Sequence, residues 1–366
     1  MNKEIKVLHI ISSLGQGGAE RQLIELVKQN KNHAICQLIS GGVYEKELKK
    51  QKTVIFDLKC KKSIFDIFCL YRLYKIMKSY KPDIVNTWMY HSSLLEVILR
   101  KITFNNNIPL IWGLRCSNME TSYYSKMLKL VINGCKYFSK TPNIIINNSL
   151  AGMKFHKSIG FKNNNIVIFN GIDVNKFSSN KKFRINFRNK FNINQDVKVL
   201  LCVGRVDPMK DHNNLLEAFK KIKENFYSTV LILAGMDTEN INETNGVIAL
   251  GPREDISHVY AACDVIISSS AFGEGFSNAL AEGMASSLIP IATNVGDSKY
   301  IVGNAGKVIN PMNVDELYDA IKEVLELNEQ DFITRKILAK NRINEKFNKL
   351  KMLDSYNKLY NKLLEE

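Results

Sequence analysis

Nowhere does the 366-residue chain have an apolar run approaching the ~18 residues of a membrane-spanning helix. A transmembrane protein is therefore not expected. The opening MNKEIKVLHIISS passes directly into a strand-like run, with no apolar leader ahead of a cleavage site. No Cys-x-x-Cys pair occurs. The seven cysteines (Cys36, Cys60, Cys69, Cys116, Cys135, Cys202 and Cys263) are odd in number, and several lie inside apolar runs. That usage excludes a zinc ribbon or disulfide framework and predicts buried free thiols in a reducing, cytoplasmic compartment. Internal repeats and low-complexity blocks are also missing.

What the chain does have is positive charge, unevenly placed. The net charge is +15, with 51 Lys and Arg against 36 Asp and Glu. Residues 1–170 hold 26 of those basic residues and only 10 acidic ones, a balance of +16; residues 171–366 come to −1. The first half is thus expected to face an anionic partner: a membrane surface, a nucleic acid or an acidic substrate.

Short apolar β-rich runs alternate with helical patterns along the chain. Lys6–Ser12, Asp83–Trp88, Pro109–Leu114, Ile144–Asn147 and Ile166–Phe169 read as strands, and a helix is expected from Ala19 to about Gln29. The pattern restarts at Val197–Gly204 and continues with strands at Thr229–Ala234, Val247–Leu250, Val265–Ser268 and Ile289–Thr293. Helices are expected between them, and Val314–Glu366 reads as helical throughout. This predicts an α/β protein of two Rossmann-like domains facing a cleft: residues 1–170, residues 171–345, and a C-terminal helix, 346–366, packing back on the first domain. Ligands of such sheets bind where strands end, so site residues are expected in the loops after strands.

Three such loops stand out. The first contains Gly15, Gly17 and Gly18 between a strand and a helix, where glycine admits a ligand close to the backbone and the helix start favours anions. It is not Gly-x-Gly-x-x-Gly, and no acidic residue closes a second strand, because His33–Ser40 ends in Ser40-Gly41-Gly42. Dinucleotide binding is therefore disfavoured, while a tight strand–helix turn would use the same glycines. The second loop places Arg205 and Lys210 after the strand that ends at Gly204, two cations suited to a diphosphate. The third runs from Ser268 to Glu282. Glu274 precedes a helix and Glu282 lies well inside it, so the two are expected to touch separate parts of one extended ligand. Gly275, Phe276, Ser277 and Asn278 open that helix and offer backbone N–H groups to a phosphate.

Taken in order, Gly17-Gly18-Ala19-Glu20, Asn170-Gly171-Ile172-Asp173 with Phe177, Gly204-Arg205 with Lys210, and Glu274 with Glu282 resemble glycosyltransferase family 4. The resemblance runs from residue 5 to about 310. It implies a GT-B fold and a retaining transferase that takes its sugar from a nucleotide diphosphate. By the same resemblance Arg205 and Lys210 neutralise the donor diphosphate, Glu274 holds hydroxyls of the donor sugar, and Glu282 holds the ribose. Arg253, within Gly251-Pro252-Arg253-Glu254-Asp255, lies beside the base, and Gly15 and Gly17 approach the diphosphate.

One departure stands out. Where many family members carry a His after a first-domain strand, this chain has Arg115, and His91 follows a neighbouring strand. Both are carried as candidate catalytic residues, although an arginine is too basic to act as a base. Asp-x-Asp, which metal-dependent sugar transferases of the other main fold use to hold an ion, is absent, so no metal or other cofactor is expected. Lys59–Lys81, with seven basic residues among Ile64, Phe65, Phe68 and Tyr71, and Tyr123–Lys140 read as basic amphipathic helices. That composition suits the anionic inner face of a membrane carrying a lipid-linked glycan acceptor. The aromatic residues keep helical spacing, which disfavours nucleic acid as the partner. A nucleotide-sugar epimerase of similar fold is the rival enzyme.

Overall fold

A computed structural model describes residues 5–15, 17–60, 67–103, 107–118, 125–243 and 245–365. The chain divides into two compact units. The first is Met1–Phe169 with Met352–Glu366, and the second is Asn170–Lys351.

The first unit is built on a seven-stranded parallel sheet. Its strands are β1 (Val7–Ile11), β2 (His33–Gln37), β3 (Val54–Asp57), β4 (Ile84–Trp88), β5 (Leu110–Leu114), β6 (Ile144–Asn147) and β7 (Asn165–Val167). They lie in the order β3-β2-β1-β4-β5-β6-β7, so the order reverses between β1 and β4. Between the strands run α1 (Gly18–Lys28), α2 (Val43–Lys50), α3 (Ile67–Tyr80), α4 (Met89–Thr103), α5 (Lys126–Tyr137) and α6 (Leu150–Ser158). Every residue of β1, β2, β4 and β5 is buried. This is the signature of a parallel sheet covered on both faces, and it explains the unbroken apolar runs.

The second unit opens with α7 (Lys181–Lys190) and carries a six-stranded parallel sheet. Its strands are β8 (Val199–Val203), β9 (Val230–Ala234), β10 (Val247–Ala249), β11 (Val265–Ser268), β12 (Ile289–Thr293) and β13 (Lys307–Ile309). Their order is β10-β9-β8-β11-β12-β13, with the reversal between β8 and β11. The helices are α8 (His212–Asn225), α9 (Ile256–Ala262), α10 (Asn278–Ala285), α11 (Ser298–Val302), α12 (Val314–Leu325) and α13 (Glu329–Lys346); α14 (Lys349–Glu365) ends the chain. Asn180, Asp211, Asn313 and Asn328 each cap a helix by accepting a first-turn N–H. Such caps are worth about 1 kcal/mol each.

Each core contains a buried polar cluster. In the first unit Trp88 Nε1 donates to His9 Nδ1 at 3.1 Å. Neutral His9 therefore carries its proton on Nε2 and donates it to His33 Nδ1 at 3.0 Å. Met352, Tyr356, Leu359, Tyr360 and Leu363 of α14 join the same core, and Tyr360 Oη accepts from Asn86 at 3.0 Å. In the second unit buried Asp264 gathers Arg188 (2.8 Å), Arg184 (3.1 Å) and Lys336 (3.3 Å). Burial opposes its ionisation, but the three cations more than offset that and hold its carboxyl below the usual range. The second unit is also closed where it begins and ends. Ile172 and Asn348 form a parallel bridge, and Lys349 Nζ pairs with Asp173 Oδ2 at 2.6 Å.

Some expectations are corrected. Cys60 and Cys69, with Cα atoms 5.7 Å apart, form a disulfide; the other five cysteines are free and buried. Their nine-residue separation resembles no standard motif. Strands β3 and β13 were not anticipated; the tail, expected to be helical throughout, consists of the three helices α12, α13 and α14. Residues 61–66 of the first basic amphipathic segment, Ile64 and Phe65 among them, and Tyr123 and Tyr124 of the second lie outside the described residues.

Candidate active site

The reversal between β8 and β11 brings two loops to the carboxyl edge of the second sheet, the position where open α/β sheets bind ligands. The first follows β8 and the second follows β11. They are bonded to each other: Ser269 Oγ donates to the Lys210 carbonyl at 2.9 Å, and the Ala271 N–H to the Met209 carbonyl at 2.8 Å. Two of the expected site residues meet there directly, since Lys210 Nζ is ion-paired with Glu274 Oε1. Ser270 Oγ donates to the same oxygen at 2.9 Å.

Glu274 is only 7% exposed. Burial opposes its ionisation, yet the Lys210 charge, the hydrogen bonds from Lys210 and Ser270, and the more distant Arg205 charge together hold its carboxyl below the ordinary value. It is thus a fixed carboxylate. The stem of Lys210 lies against Gly204, where an added Cβ would be 3.2 Å from the Lys210 Cδ, so glycine at the end of β8 makes room for the pair. Arg205 is half-exposed, and its guanidinium is bridged to Asp207 at 2.9 Å.

The second loop runs on into α10. Gly273 has φ 78°, a conformation glycine adopts freely. Phe276 is buried and packs edge-on to Phe347, with centroids 5.2 Å apart. The Gly275 carbonyl accepts from the Asp297 N–H at 3.0 Å. Ser277 is the N-cap residue of α10 without a side-chain cap bond, and Asn278 Oδ1 accepts from Asn170 Nδ2 at 2.8 Å. Glu282, inside α10, is buried and accepts from the Tyr260 hydroxyl at 3.1 Å. The two glutamates have different partners. Arg253 grips Asp255 at 2.8 and 2.7 Å.

The first unit places its candidates at the corresponding edge of its own sheet. Gly15, Gly17 and Gly18 follow β1, Met89 and His91 follow β4, and Arg115 follows β5. The N-terminus of α1 already has a neighbour: a Cβ at Gly17 would lie 2.1 Å from Glu20 Oε2. Glycine is needed there for the carboxylate to fold back, and burial raises the Glu20 pKa. Met89 sits at φ 69°, in the left-handed region, at the junction of β4 and α4. His91 lies in the first turn of α4, half-buried, and burial lowers its pKa. Arg115 lies over Trp88, 4.3 Å from the ring centroid, and donates through Nη2 to the Tyr356 hydroxyl.

The model of the family described as glycosyl transferases group 1 matches residues 183–344, most of the second unit. An uncharacterized glycosyltransferase of Methanocaldococcus jannaschii is 27% identical over 272 residues, covering 68% of this chain and 65% of that protein. The UDP-Gal:alpha-D-GlcNAc-diphosphoundecaprenol alpha-1,3-galactosyltransferase of Escherichia coli is 27% identical over 328 residues, covering 81% of this chain and 80% of its own. Among solved structures, Anabaena HepE in complex with UDP-glucose superposes with a TM-score of 0.84 at 19% identity, over 98% of this chain and 100% of that one. The chain is an enzyme of the glycosyltransferase class. Its two parallel-sheet Rossmann-like units have the GT-B fold.

Several features of this glycosyltransferase were not anticipated from its sequence. Ser270 and Asp207 are ordinary loop residues until the loops are seen together. Gly296 is a further case: it has φ +60°, and an added Cβ would be 2.2 Å from the Glu274 carbonyl oxygen. The short Val295-Gly296-Asp297 segment after β12 was its only signal in the sequence.

Proposed function

We propose that the second unit binds a nucleotide-diphosphate sugar and that the chain transfers the sugar, with retention of configuration, to a glycan or lipid-linked glycan acceptor in cell-surface polysaccharide synthesis. The observation that carries this is the joined pair of loops at the β8/β11 reversal. It supplies Lys210 and Arg205 as cations, the fixed carboxylate of Glu274, and the start of α10. The diphosphate sits against the cations and the first-turn amides of α10. Glu274 accepts hydrogen bonds from sugar hydroxyls, and Glu282 from those of the ribose.

The donor C1–O bond breaks, and its electrons leave with the diphosphate, whose growing charge Arg205 and Lys210 stabilise. An acceptor hydroxyl attacks C1 on the same face and gives its proton to the departing phosphate oxygen. Glu274, tied to Lys210 and Ser270, is a positioning carboxylate in this scheme and not a nucleophile. The cations take the place of a metal, so the reaction needs none.

We place the acceptor with the first unit. Its α3 exposes Ile67, Phe68 and Tyr71 beside Lys75 and Lys78, and α5 exposes Met127, Leu130 and Tyr137. This mixture of apolar and basic side chains suits the anionic cytoplasmic face of a membrane. Among the described residues no helix is long and apolar enough to cross one. The E. coli relative, which by its name uses a diphosphoundecaprenol-linked acceptor, supports the same choice.

The test is transfer from a panel of nucleotide sugars to a lipid-diphosphate glycan, with the new linkage read by NMR and a chelator present in a parallel reaction. An α-linked product from an α-linked donor, undiminished by chelator, is expected. An inverted linkage, loss of activity with chelator, or a free epimerised sugar would each overturn the corresponding part.

A further inference from the structure

We infer that Arg115 recognises the diphosphate that joins an acceptor glycan to its carrier, and that Trp88 and Tyr356 hold it in place for that task. This rests on the transfer reaction proposed above and names the acceptor chemistry.

Arg115 stands at the carboxyl end of β5, beside β4 and one strand from the reversal of the first sheet. Its guanidinium carbon lies 4.3 Å from the Trp88 ring centroid and 5.9 Å from that of Tyr356. The Tyr356 hydroxyl accepts from Nη2, and the Trp88 and Tyr356 rings are themselves stacked, 6.3 Å apart and inclined by 20°. The main chain is fixed as well, because Asn148 Nδ2 donates to the Arg115 carbonyl at 3.3 Å.

A guanidinium does not deprotonate at working pH, so proton transfer is closed to it, whereas its planar fork matches phosphate oxygens. Aromatic faces fix the plane of the fork, so ordering it costs little when an anion arrives. Tyr356 is a positioning residue in this arrangement, contributed by the C-terminal helix.

A diphosphate at Arg115 could belong to the donor or to the acceptor. The second unit already has Arg205 and Lys210 for the donor, and the +16 balance of residues 1–170 favours a second anion in the first unit. The structure therefore assigns Arg115 to the acceptor.

The test uses the full chain saturated with a nucleoside diphosphate chosen from UDP, GDP and ADP. Octyl-diphospho-N-acetylglucosamine and the neutral octyl N-acetylglucosaminide are then titrated by calorimetry. The wild type should bind the diphosphate compound at least 10-fold more tightly than the neutral one. Arg115→Ala should abolish that preference, Arg115→Lys should restore only part of it, and Tyr356→Phe should weaken it severalfold with the melting temperature nearly unchanged. An unchanged preference in Arg115→Lys and Arg115→Ala overturns the inference. Competition between the diphosphate compound and the nucleotide overturns it too, because the ligand would then be reading the donor site. Failure of every nucleotide to bind overturns the underlying transfer reaction, and this inference falls with it.

Discussion

Replacing Lys210 with Met takes the charged partner from the buried Glu274 carboxylate, which keeps its hydrogen bond from Ser270. Breaking a buried ion pair from one side costs about 3–5 kcal/mol. For a unit of this size each kcal/mol moves the melting temperature by roughly 2–4 °C, so the second unit should melt about 6–20 °C lower at pH 7.5. The deficit should depend on pH. In the wild type the folded-state pKa of Glu274 is depressed below the reference value of 4.5. Its pairing therefore stabilises above that value and is lost as pH falls through the folded pKa. In Lys210→Met burial is no longer offset and the carboxyl takes up a proton more readily, so wild type and variant should converge toward pH 4. Adding Glu274→Gln to Lys210→Met removes the stranded charge and should recover most of the loss. The assay is a double-mutant cycle by thermal and urea unfolding at pH 7.5 and 4.5. Additive single changes, or a deficit independent of pH, would refute the coupling.

Other outcomes follow from the same structure. Asp264→Asn strands fully buried Arg188 together with Arg184 and Lys336, so a loss of about 3–5 kcal/mol is expected in urea unfolding; a change below about 1 kcal/mol would show that the cations find other partners. Burial pushes His33 and His156 down to about 4 from 6.5. The unfolded chain then binds protons that the folded chain refuses between pH 6.5 and 4. Each histidine should cost the first unit up to about 3 kcal/mol as pH falls through that window, and flat urea midpoints from pH 7 to 4.5 would contradict this. Gly296→Ala forces a Cβ into the Glu274 carbonyl at a positive φ. It should abolish the nucleotide-induced rise in melting temperature, and a normal shift would show that the turn tolerates it.

Much of the fold was legible because the central strands are buried on both faces. VLHII and VLLCV have no polar alternation to mislead, and their boundaries came within a residue or two. The edges were harder. The half-exposed to exposed residues of β3 and the short β13 form strands because a neighbour offers its hydrogen bonds, not because of their own pattern. Lys210, Glu274 and Glu282 could each be picked out from their place after a strand or in the following helix. The pairing of Lys210 with Glu274, 64 residues apart, depends on β8 lying beside β11, which local sequence does not reveal. Arg115 shows the same limit: its aromatic holder Tyr356 comes from the far end of the chain. The disulfide between Cys60 and Cys69 was missed because odd cysteine number and spacing argued for free thiols, whereas the segment after β3 and the start of α3 come together in the fold.

The proposed transfer depends on the loops after β8 and β11 forming a nucleotide-diphosphate site. Calorimetric titration of UDP, GDP and ADP into the wild type, Arg205→Ala and Glu282→Gln tests it most directly. One nucleotide should bind the wild type with 1:1 stoichiometry. Arg205→Ala should weaken it at least 10-fold through the phosphates, and Glu282→Gln should weaken the ribonucleotide more than its 2′,3′-dideoxy analogue. Binding of no nucleotide, or equal binding by all three proteins, would contradict the account.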